Sequence, residues 1–326
     1  MESLQTIRNL DLMDLSSRSI DLAQPIGQLT SLSRDEIFEL IDVLPPYYAL
    51  KDVAVSPGNF AVARIRTEQP LGHEVFPIST SEASRHMAIL GSVCCAVANP
   101  VKQKHYYLAN TGTFTRGTED TFWIGNELIV MAECLSFGKR GACVRACLLN
   151  HQHQLICGID VSYHVIHHSL FERIYTCGNA GTPSGDFGRD NPYTTKNPLA
   201  DVSISDTGAS AWLREITSKN CQGHFPKFPT LPVAILVASV FDLIIMYIHH
   251  LTGDRALKVL VRESTLLAEN LAFSGETVEL HARLQESSGN RFKVQCVAQT
   301  TDGKNIGDVI AIIETVRNNF DMDFHL

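Results

Sequence analysis

Two segments of the chain are apolar over the length of a long helix. One runs from about Ser81 to Ala98 and the other from Val233 to Leu251. The second includes PVAILVASVFDLIIMYI, a run of 17 residues from Pro232 to Ile248. Because this run is slightly short for a bilayer and contains Asp242, it predicts a helix buried inside a domain rather than a membrane span.

Segments that alternate between apolar and polar residues, or are apolar throughout, follow each helix and predict strands. After the first helix they are Glu127–Leu135, Ala142–Asn150 and Gln154–Val165, and after the second they are Thr277–Gln285, Arg291–Thr300 and Ile306–Val316. One helix followed by several antiparallel strands predicts an α+β fold in which the sheet wraps around the helix.

Three landmarks recur along the chain at nearly the same offset. The pairs, separated by 151, 150 and 149 residues, are Gly72-His73 with Gly223-His224, Gly125 with Gly275, and Gly158 with Gly307. Their common order indicates that one folding unit is present twice. Between the two copies, Cys177–Pro198 is rich in Gly, Asn, Pro and Thr and predicts an exposed linker.

The second Gly-His pair opens the loop GHFPKFPTLP, residues 223–232, directly before the most apolar helix. Its three prolines restrict the loop backbone. A histidine near its ordinary pKa can act as a base at neutral pH, so His224 is the first candidate for chemistry.

Several motifs around the two Gly-His loops occur in a fixed order. The first copy contains IFELIDVLPPYYALKDVAVSPGNFAVARI, GHEVFP, HYYLANTGTFTRGT and IGNEL, and the second contains GHFPKFPTLP and LAFSGETVEL. In these motifs the chain resembles the hotdog-fold 3-hydroxyacyl-[acyl carrier protein] dehydratases of fatty-acid synthesis. The resemblance covers about 34–166 and 199–316, and its GHFP-x-x-P-x-x-P signature is moderately specific.

This resemblance implies an α+β double hotdog, each half a long central helix wrapped by an antiparallel β-sheet. It implies an N-terminal extension over 1–33, a first hotdog domain over 34–166, a linker over 167–198, a second hotdog domain over 199–316 and a tail over 317–326. Single hotdogs of this family pair with their active sites between protomers. A fused pair would supply both sides of that interface from one chain.

The resemblance also implies the chemistry. Dehydration needs a base for the C2 proton and an acid for the departing C3 hydroxyl, and the family uses the loop histidine with a carboxylate from the partner's central helix. The family's acid lies fourteen residues beyond its histidine. That place is Ala238 when counted from His224, and Met87, or His86 with a one-residue deletion, when counted from His73. Ala238 has no side-chain proton to exchange.

If the two halves pair as the protomers of this family do, each loop faces the helix of the other half. His224 would then lie against the first helix, which carries Glu82 and His86. His73 would face the second helix, where Asp242 is the carboxylate. We therefore expect one working site, built from His224 with Glu82 or His86, and we expect His73 to be its relic. The residues expected to bind substrate are Phe225, Pro232, Val233 and Asp242.

Each of these side chains also has a purely structural interpretation. His224 could hydrogen-bond only within its loop, and Glu82 could only offset the dipole of its helix. Glu74 could pair with the ring of His73. Asp242 needs a partner because an unpaired carboxylate is costly to bury in an apolar helix.

Composition narrows the classes of function. A net charge of −8 gives no reason to expect nucleic acid. The nine cysteines include no CxxC pair, so we predict reduced thiols packed as small apolar groups in a cytoplasmic protein. The histidine groups lack carboxylates or cysteines at ligand spacing, and no metal is expected. The N-terminal segment carries acids and lacks the apolar core of a signal peptide.

Three functions follow from these features. The first is dehydration of 3-hydroxyacyl thioesters in fatty-acid or polyketide-type biosynthesis. The second is thioester hydrolysis with Glu82 as the helix carboxylate, and the third is a non-catalytic hotdog that binds acyl chains or carrier proteins. The expected partner is an acyl carrier protein or acyl-CoA, with no cofactor beyond the phosphopantetheine arm. The sequence does not decide whether the chain also forms a homo-oligomer.

Overall fold

A computed structural model describes residues 29–57, 59–75, 77–117, 127–175 and 191–316. The helices of this part of the chain are α1 (Arg34–Ile41), α2 (Thr80–Ala98), α3 (His168–Tyr175) and α4 (Val233–Thr252). The strands are β1 (Thr30–Ser31), β2 (Lys51–Ser56), β3 (Phe60–Arg66), β4 (His105–Arg116), β5 (Glu127–Phe137), β6 (Gly141–Leu149), β7 (Leu155–His167), β8 (Leu199–Ser205), β9 (Gly208–Leu213), β10 (Lys258–Ala268), β11 (Val278–Ser288), β12 (Arg291–Thr300) and β13 (Asn305–Val316).

All of these strands form one antiparallel sheet in the order β1-β2-β3-β5-β6-β7-β4-β10-β13-β12-β11-β9-β8. Apart from β1, the order is symmetric about its centre. From edge to centre it reads β2-β3-β5-β6-β7-β4 on one side and β8-β9-β11-β12-β13-β10 on the other. The two halves therefore share one topology, with α2 following β3 and α4 following β9.

The halves meet where β4 pairs with β10. Thr111–Thr115 lie opposite Leu267–Glu263 in antiparallel register. The two long helices also pack against each other, and α2 covers β5 and β6 of its own half. Most buried apolar side chains of both halves form one continuous core, and a second, smaller cluster lies on β2, β3, β5 and β6.

The two predicted helices and six predicted strands are confirmed to within three residues at every end. Helix α2 is capped by Ser79, whose hydroxyl accepts a hydrogen bond from the Glu82 N–H at 3.3 Å. Its middle lies close to the sheet at Gly91, where a Cβ would stand 2.5 Å from the Tyr163 hydroxyl oxygen. A side chain at this position would push the helix away from β7.

Helix α4 is the apolar run that raised the question of a membrane span. In the described part of the chain it is the one helix long and apolar enough to cross a bilayer, and 78% of its apolar window is buried inside the protein. It packs against β8, β9, β11 and β12 and ends at Gly253, which has a φ of 69°. This burial agrees with the predicted core helix.

The prediction that Cys177–Pro198 is exposed is wrong at Tyr193, in the described part of that segment. Just before the segment, Phe171 of helix α3 stacks on Tyr106 with ring centroids 3.8 Å apart. Near its end, Tyr193 is buried and donates a hydrogen bond to the Gln222 carbonyl at 2.8 Å. Aromatic residues inside a polar segment were the signal that it packs on the core. Residues 176–190 lie outside the described residues.

The cysteines of the described part are all free, and all but Cys143 are buried. Cys94, on α2, donates its thiol hydrogen to the Asn59 carbonyl at 2.7 Å. This agrees with the prediction that thiols pack as small apolar groups.

Candidate functional site

The loop that carries His224 is fixed to the other half of the molecule. Gly223 has a φ of 83°, and a Cβ there would lie 2.3 Å from the Leu44 carbonyl oxygen. The Leu44 N–H donates to the Gly223 carbonyl at 2.7 Å, and Val43 and His224 form an isolated antiparallel bridge. Glycine is therefore required for close contact between the two backbones.

The ring of His224 is held in one tautomer. Its Nδ1 lies 3.0 Å from the Thr230 carbonyl oxygen and 3.1 Å from the Thr230 hydroxyl. Because a carbonyl only accepts hydrogen bonds, Nδ1 carries the hydrogen and Nε2 keeps its lone pair. Burial lowers the pKa of His224 to about 4, so the ring is neutral at pH 7.

A cavity of about 90 Å³ lies beside this ring, between the two halves. This volume exceeds the roughly 10–15 Å³ that one water needs. The side chains around it are mostly apolar, and no carboxylate is among the described residues that line it. The lining residues are Ile41, Val43, Tyr47, Ala88, Ile89, Ser92, Tyr107, Leu108, Ala109 and Tyr163 from the first half, and His224, Phe225, Leu231, Val233, Leu236, Ala268, Asn270, Leu271, Ala272 and Ile306 from the second.

The N-terminus of α4 opens at the same cavity. Its N-cap is Pro232, which makes no side-chain hydrogen bond to the helix, and Val233 lines the cavity. The first N–H groups of a helix have no partner within the helix and carry partial positive charge. Of the residues predicted to bind substrate, Phe225 and Val233 line the cavity and Pro232 adjoins it.

The predicted pairing of His224 with Glu82 or His86 is not formed in the described part of the chain. Both oxygens of Glu82 accept backbone N–H groups, from Glu68 at 2.5 Å and from Gln69 at 3.2 Å. The Nε2 of His86 lies 3.7 Å from Glu82, and burial followed by the charge of Arg85 lowers the pKa of His86. Glu82 therefore anchors the segment after β3 to helix α2.

Tyr47 separates His224 from this buried network. Its ring centroid lies 5.1 Å from that of His224, and the guanidinium carbon of Arg85 lies 5.8 Å from the Tyr47 ring. Arg85 in turn forms an ion pair with Glu68. Tyr47, Arg85 and Glu68 were not predicted from the sequence. Arg85 could have been found by the same signal that singled out Asp242, a charged residue inside a buried helix.

The spacing of Glu68, Glu82 and His86 would suit a metal ion, since their ligand atoms lie within 4.8 Å of one another. The guanidinium of Arg85 occupies the same place, bonded to Glu68 and 3.3 Å from the Nε2 of His86. A fixed cation there repels a metal ion, and the oxygens of Glu82 are already used.

His73 occupies the equivalent place in the other half and lies against α4. Its ring is 4.5 Å from that of His249, and burial followed by the charges of His249 and Lys258 lowers the pKa of His73. Asp242 lies nearby, away from the described cavity, and pairs with Lys196 at 2.6 Å. Burial raises the pKa of Asp242, and Lys196 opposes this. The partner that Asp242 was expected to need is therefore a lysine. Asp242 is not among the residues that line the cavity beside His224, and its contact with substrate stays a prediction.

Glu74 does not pair with the ring of its neighbour His73. It is buried, and its Oε2 accepts hydrogen bonds from the N–H of Thr80 at 2.8 Å and from the Thr80 hydroxyl at 2.7 Å. Glu74 therefore stabilises the start of α2, where a negative charge is favourable.

Comparison with known proteins shows the fold. No protein-family model and no curated protein matches the sequence. Solved structures do match: a Lactobacillus plantarum protein described as an oleoyl thioesterase (TM-score 0.54, 9% identity, 80% of this chain and 98% of that one) and the 12:0-ACP thioesterase of Umbellularia californica (0.51, 10%, 78% and 94%). A hot dog fold protein of Alicyclobacillus acidocaldarius matches with a TM-score of 0.50 at 11% identity, over 82% of this chain and 96% of that one. The described chain has the hotdog fold.

Proposed function

We propose that this chain is a tandem double hotdog that hydrolyses acyl thioesters in the cavity beside His224. The observation that carries the proposal is the placement of this histidine. It is a neutral imidazole with a free Nε2, on a cavity that is otherwise mostly apolar and lies between the two halves. A base on an apolar cavity is the arrangement expected for a site that binds an acyl group.

The tandem arrangement is supported by the symmetry of the strand order. Each half contributes six strands in corresponding places and one long helix, α2 or α4. A Gly-His loop precedes each helix, and both glycines, Gly72 and Gly223, have positive φ. Two hotdog domains joined in one chain explain all of these correspondences.

In the proposed reaction, the Nε2 of His224 takes a proton from a water molecule as the water oxygen attacks the thioester carbon. The carbonyl oxygen becomes an oxyanion, which the free N–H groups at the start of α4 stabilise. The intermediate collapses with cleavage of the carbon–sulfur bond. The products are a carboxylic acid and a thiol, and the imidazolium returns its proton to the departing thiolate.

The lining of the cavity favours hydrolysis over dehydration. A thiol has a pKa of about 8.5, so a thiolate can depart with little help. A departing hydroxide needs a proton donor, because the pKa of water is about 15.7. The described lining offers no carboxylic acid for that step. The fold neighbours described as thioesterases are consistent with this choice.

Dehydration of 3-hydroxyacyl thioesters is the second candidate, and it is supported by the sequence of the loop that carries His224. GHFPKFPTLP carries the histidine and prolines of the resembled dehydratases. In this alternative, His224 would remove the C2 proton and a phenol, such as Tyr47, would be the remaining donor near the ring. Either reaction would use an acyl carrier protein or coenzyme A thioester and no further cofactor.

The test is to offer the purified chain saturated, 3-hydroxyacyl and enoyl thioesters of short acyl chains and to identify the products by mass. We expect free acid and thiol from the saturated substrate, and we expect His224→Ala to lower kcat/KM by about 100-fold or more. His281→Ala is the matched control and should retain activity, because the His281 side chain is 39% exposed and pairs with Glu279.

Two outcomes contradict hydrolysis. Reversible loss of water from the 3-hydroxyacyl substrate alone would assign the site to a dehydratase. Retention of the acyl thioester without any turnover would make the chain an acyl-binding hotdog.

A further inference from the structure

The cavity beside His224 is small for a site that binds an acyl group. Its volume is about 90 Å³. A protein cavity of about 150 Å³ lined by apolar side chains holds one benzene molecule, which has six carbon atoms. The carbonyl group of a thioester placed at the Nε2 of His224 would take part of the smaller volume. The space that remains therefore suits an acyl chain of only a few carbon atoms.

The cavity also covers only a short length of the two long helices. On α2 its lining residues are Ala88, Ile89 and Ser92, and on α4 they are Val233 and Leu236. At about 1.5 Å per residue, these stretches are about 6 Å and about 4.5 Å long. Since a carbon–carbon bond is about 1.5 Å long, an acyl chain of about five carbon atoms spans the longer stretch. The volume and the length of the cavity thus give a similar limit.

Tyr163, on β7, is a fixed wall of the cavity. It is 2% exposed, and its hydroxyl donates a hydrogen bond to the Ala88 carbonyl at 2.8 Å. The Ser92 hydroxyl donates to the same carbonyl at 3.1 Å. The Tyr163 hydroxyl is also packed against Gly91, where a Cβ would lie 2.5 Å from its oxygen. An acyl chain that displaced the ring would break a buried hydrogen bond, so this wall resists a longer substrate.

Leu236 closes the cavity at α4. It is 3% exposed, and the residues four and seven positions later, Val240 and Leu243, lie on the same side of the helix. Both are buried in the core and are not among the described residues that line the cavity. The packed core therefore continues directly behind Leu236. Shortening this side chain would enlarge the cavity, because a core relaxes only partly around a deleted group.

We propose that the cavity beside His224 selects short-chain acyl thioesters, with an acyl group shorter than hexanoyl, and that Leu236 and Tyr163 set this limit. This inference rests on the proposed function for the acyl nature of the ligand. Each methylene group that the cavity buries raises the affinity roughly fourfold. A chain longer than the cavity gains nothing further from its excess carbon atoms unless it displaces side chains of the core.

The test is titration calorimetry of the full chain with ketone analogues of acyl thioesters of N-acetylcysteamine, in which a methylene group replaces the sulfur. We expect the butanoyl analogue to bind about tenfold more tightly than the acetyl analogue, because two further methylene groups are buried. The octanoyl analogue should bind about tenfold more weakly than the butanoyl analogue, since forcing extra carbon atoms into a packed core is unfavourable.

Two variants should move this optimum in opposite directions. Leu236→Ala should make the hexanoyl analogue the tightest, because alanine lacks the branched end of the leucine side chain. Ala88→Val fills the cavity from α2 and should make the acetyl analogue the tightest. Leu243→Ala is the matched control, a buried leucine on the same face of α4 that does not line the cavity, and it should keep the butanoyl optimum. A partly unfolded variant binds every analogue less in the same proportion, so the optimum does not depend on stability.

The inference is overturned if the hexanoyl or octanoyl analogue binds most tightly to the wild type, if no analogue binds, or if Leu236→Ala and Ala88→Val leave the optimum where Leu243→Ala does. The measurement requires no turnover. A butanoyl optimum in a chain that hydrolyses no thioester would reject the proposed reaction and leave the chain-length limit standing. Hydrolysis combined with an affinity that rises up to octanoyl would reject the limit and leave the reaction standing.

Discussion

The protonation state of His224 depends on burial, which disfavours the charged ring, and on two neighbours that favour the charged ring. Burial is the largest effect and lowers its pKa to about 4, while the Thr230 carbonyl and the charge of Asp42 act in the opposite direction. Asp42 is itself held by the Tyr106 hydroxyl at 3.0 Å and by Lys104 at 2.8 Å. These two partners reduce what Asp42 can contribute to the imidazole, so the ring stays neutral and its Nε2 stays unprotonated.

The first prediction at this scale is that the His224 ring does not titrate in the physiological range. In NMR spectra of histidine-labelled protein, the signal that disappears in His224→Gln should keep a constant chemical shift from about pH 8 to about pH 5.5, because its pKa lies well below the ordinary 6.5. Between pH 6.5 and 4 the unfolded state binds more protons, so this ring lowers the free energy of unfolding as pH falls. A midpoint near pH 6.5 would contradict a ring that is kept neutral by its surroundings.

At the same scale, the sequence predicted His224 correctly as a residue on a constrained loop facing the first helix. It could not predict the residue that lies between them. Tyr47 follows two prolines in a segment without periodicity, and nothing local indicates that its ring reaches His224. The catalytic use of the predicted residues stays a prediction.

At the scale of elements, the connection from β3 to α2 depends on one carboxylate. Glu82 is fully buried and accepts the N–H groups of Glu68 and Gln69, the first residues after β3 that turn toward the helix. Gln69 continues the connection, since its side chain donates to the Tyr193 carbonyl at 2.7 Å. The side chains of Glu82 and Gln69 together thus connect the end of β3, helix α2 and the segment before β8.

Glu82→Ala should therefore lower the free energy of unfolding by roughly 2–5 kcal/mol. It leaves the buried N–H of Gln69 unpaired, at about 1–3 kcal/mol, and the partly buried N–H of Glu68, which costs less because water can reach it. Urea unfolding measures this. Glu127→Ala is the control: Glu127 pairs with Arg66 at the surface, and the change should stay below about 1 kcal/mol. If Glu82→Gln kept full stability but lost thioester hydrolysis, the carboxylate would be catalytic, as the sequence first suggested.

Elements with a clear period were predicted well, and the segments between them were not. The helices α2 and α4 and the strands of both sets have the repeat of apolar residues that their packing demands. The residues from 167 to 198 have no such repeat, yet Phe171 and Tyr193 are buried. Their burial depends on partners such as Tyr106 and Tyr47 that are distant in sequence, and no local pattern records such contacts.

At the scale of the whole molecule, the offset near 150 residues predicted the repeated topology that the strand order shows. Both copies are needed to form the cavity. The cavity beside His224 takes its walls from α1, α2, β4 and β7 of one half and from the loop, α4 and β10 of the other. Neither half alone encloses it. Since β4 and β10 pair over only the five positions from Thr111 to Thr115, the helices and loops supply much of the interface.

Because both halves contribute walls to the cavity, we expect the two halves to associate when they are made as separate chains. Residues 1–175 and 176–326, co-expressed with a tag on the first, should copurify and restore thioester hydrolysis. The break follows α3 and divides none of the described helices or strands. The first half keeps Tyr47, and the second keeps Tyr193, whose ring lies 5.3 Å from it. Each half alone would expose its helix face and one side of the cavity to water, and should unfold without a cooperative transition.

Gly223→Val in the second fragment provides the matched control. Its Cβ would lie 2.3 Å from the Leu44 carbonyl oxygen of the first fragment, and the positive φ would be strained in addition. This variant should weaken copurification and abolish restored hydrolysis, while a change at the exposed Gly289, which has open space around it, should affect neither beyond the strain of its own turn. The prediction is contradicted if the first fragment unfolds cooperatively as a monomer and does not bind the second. The two halves would then be independent domains, and the cavity would not require their association.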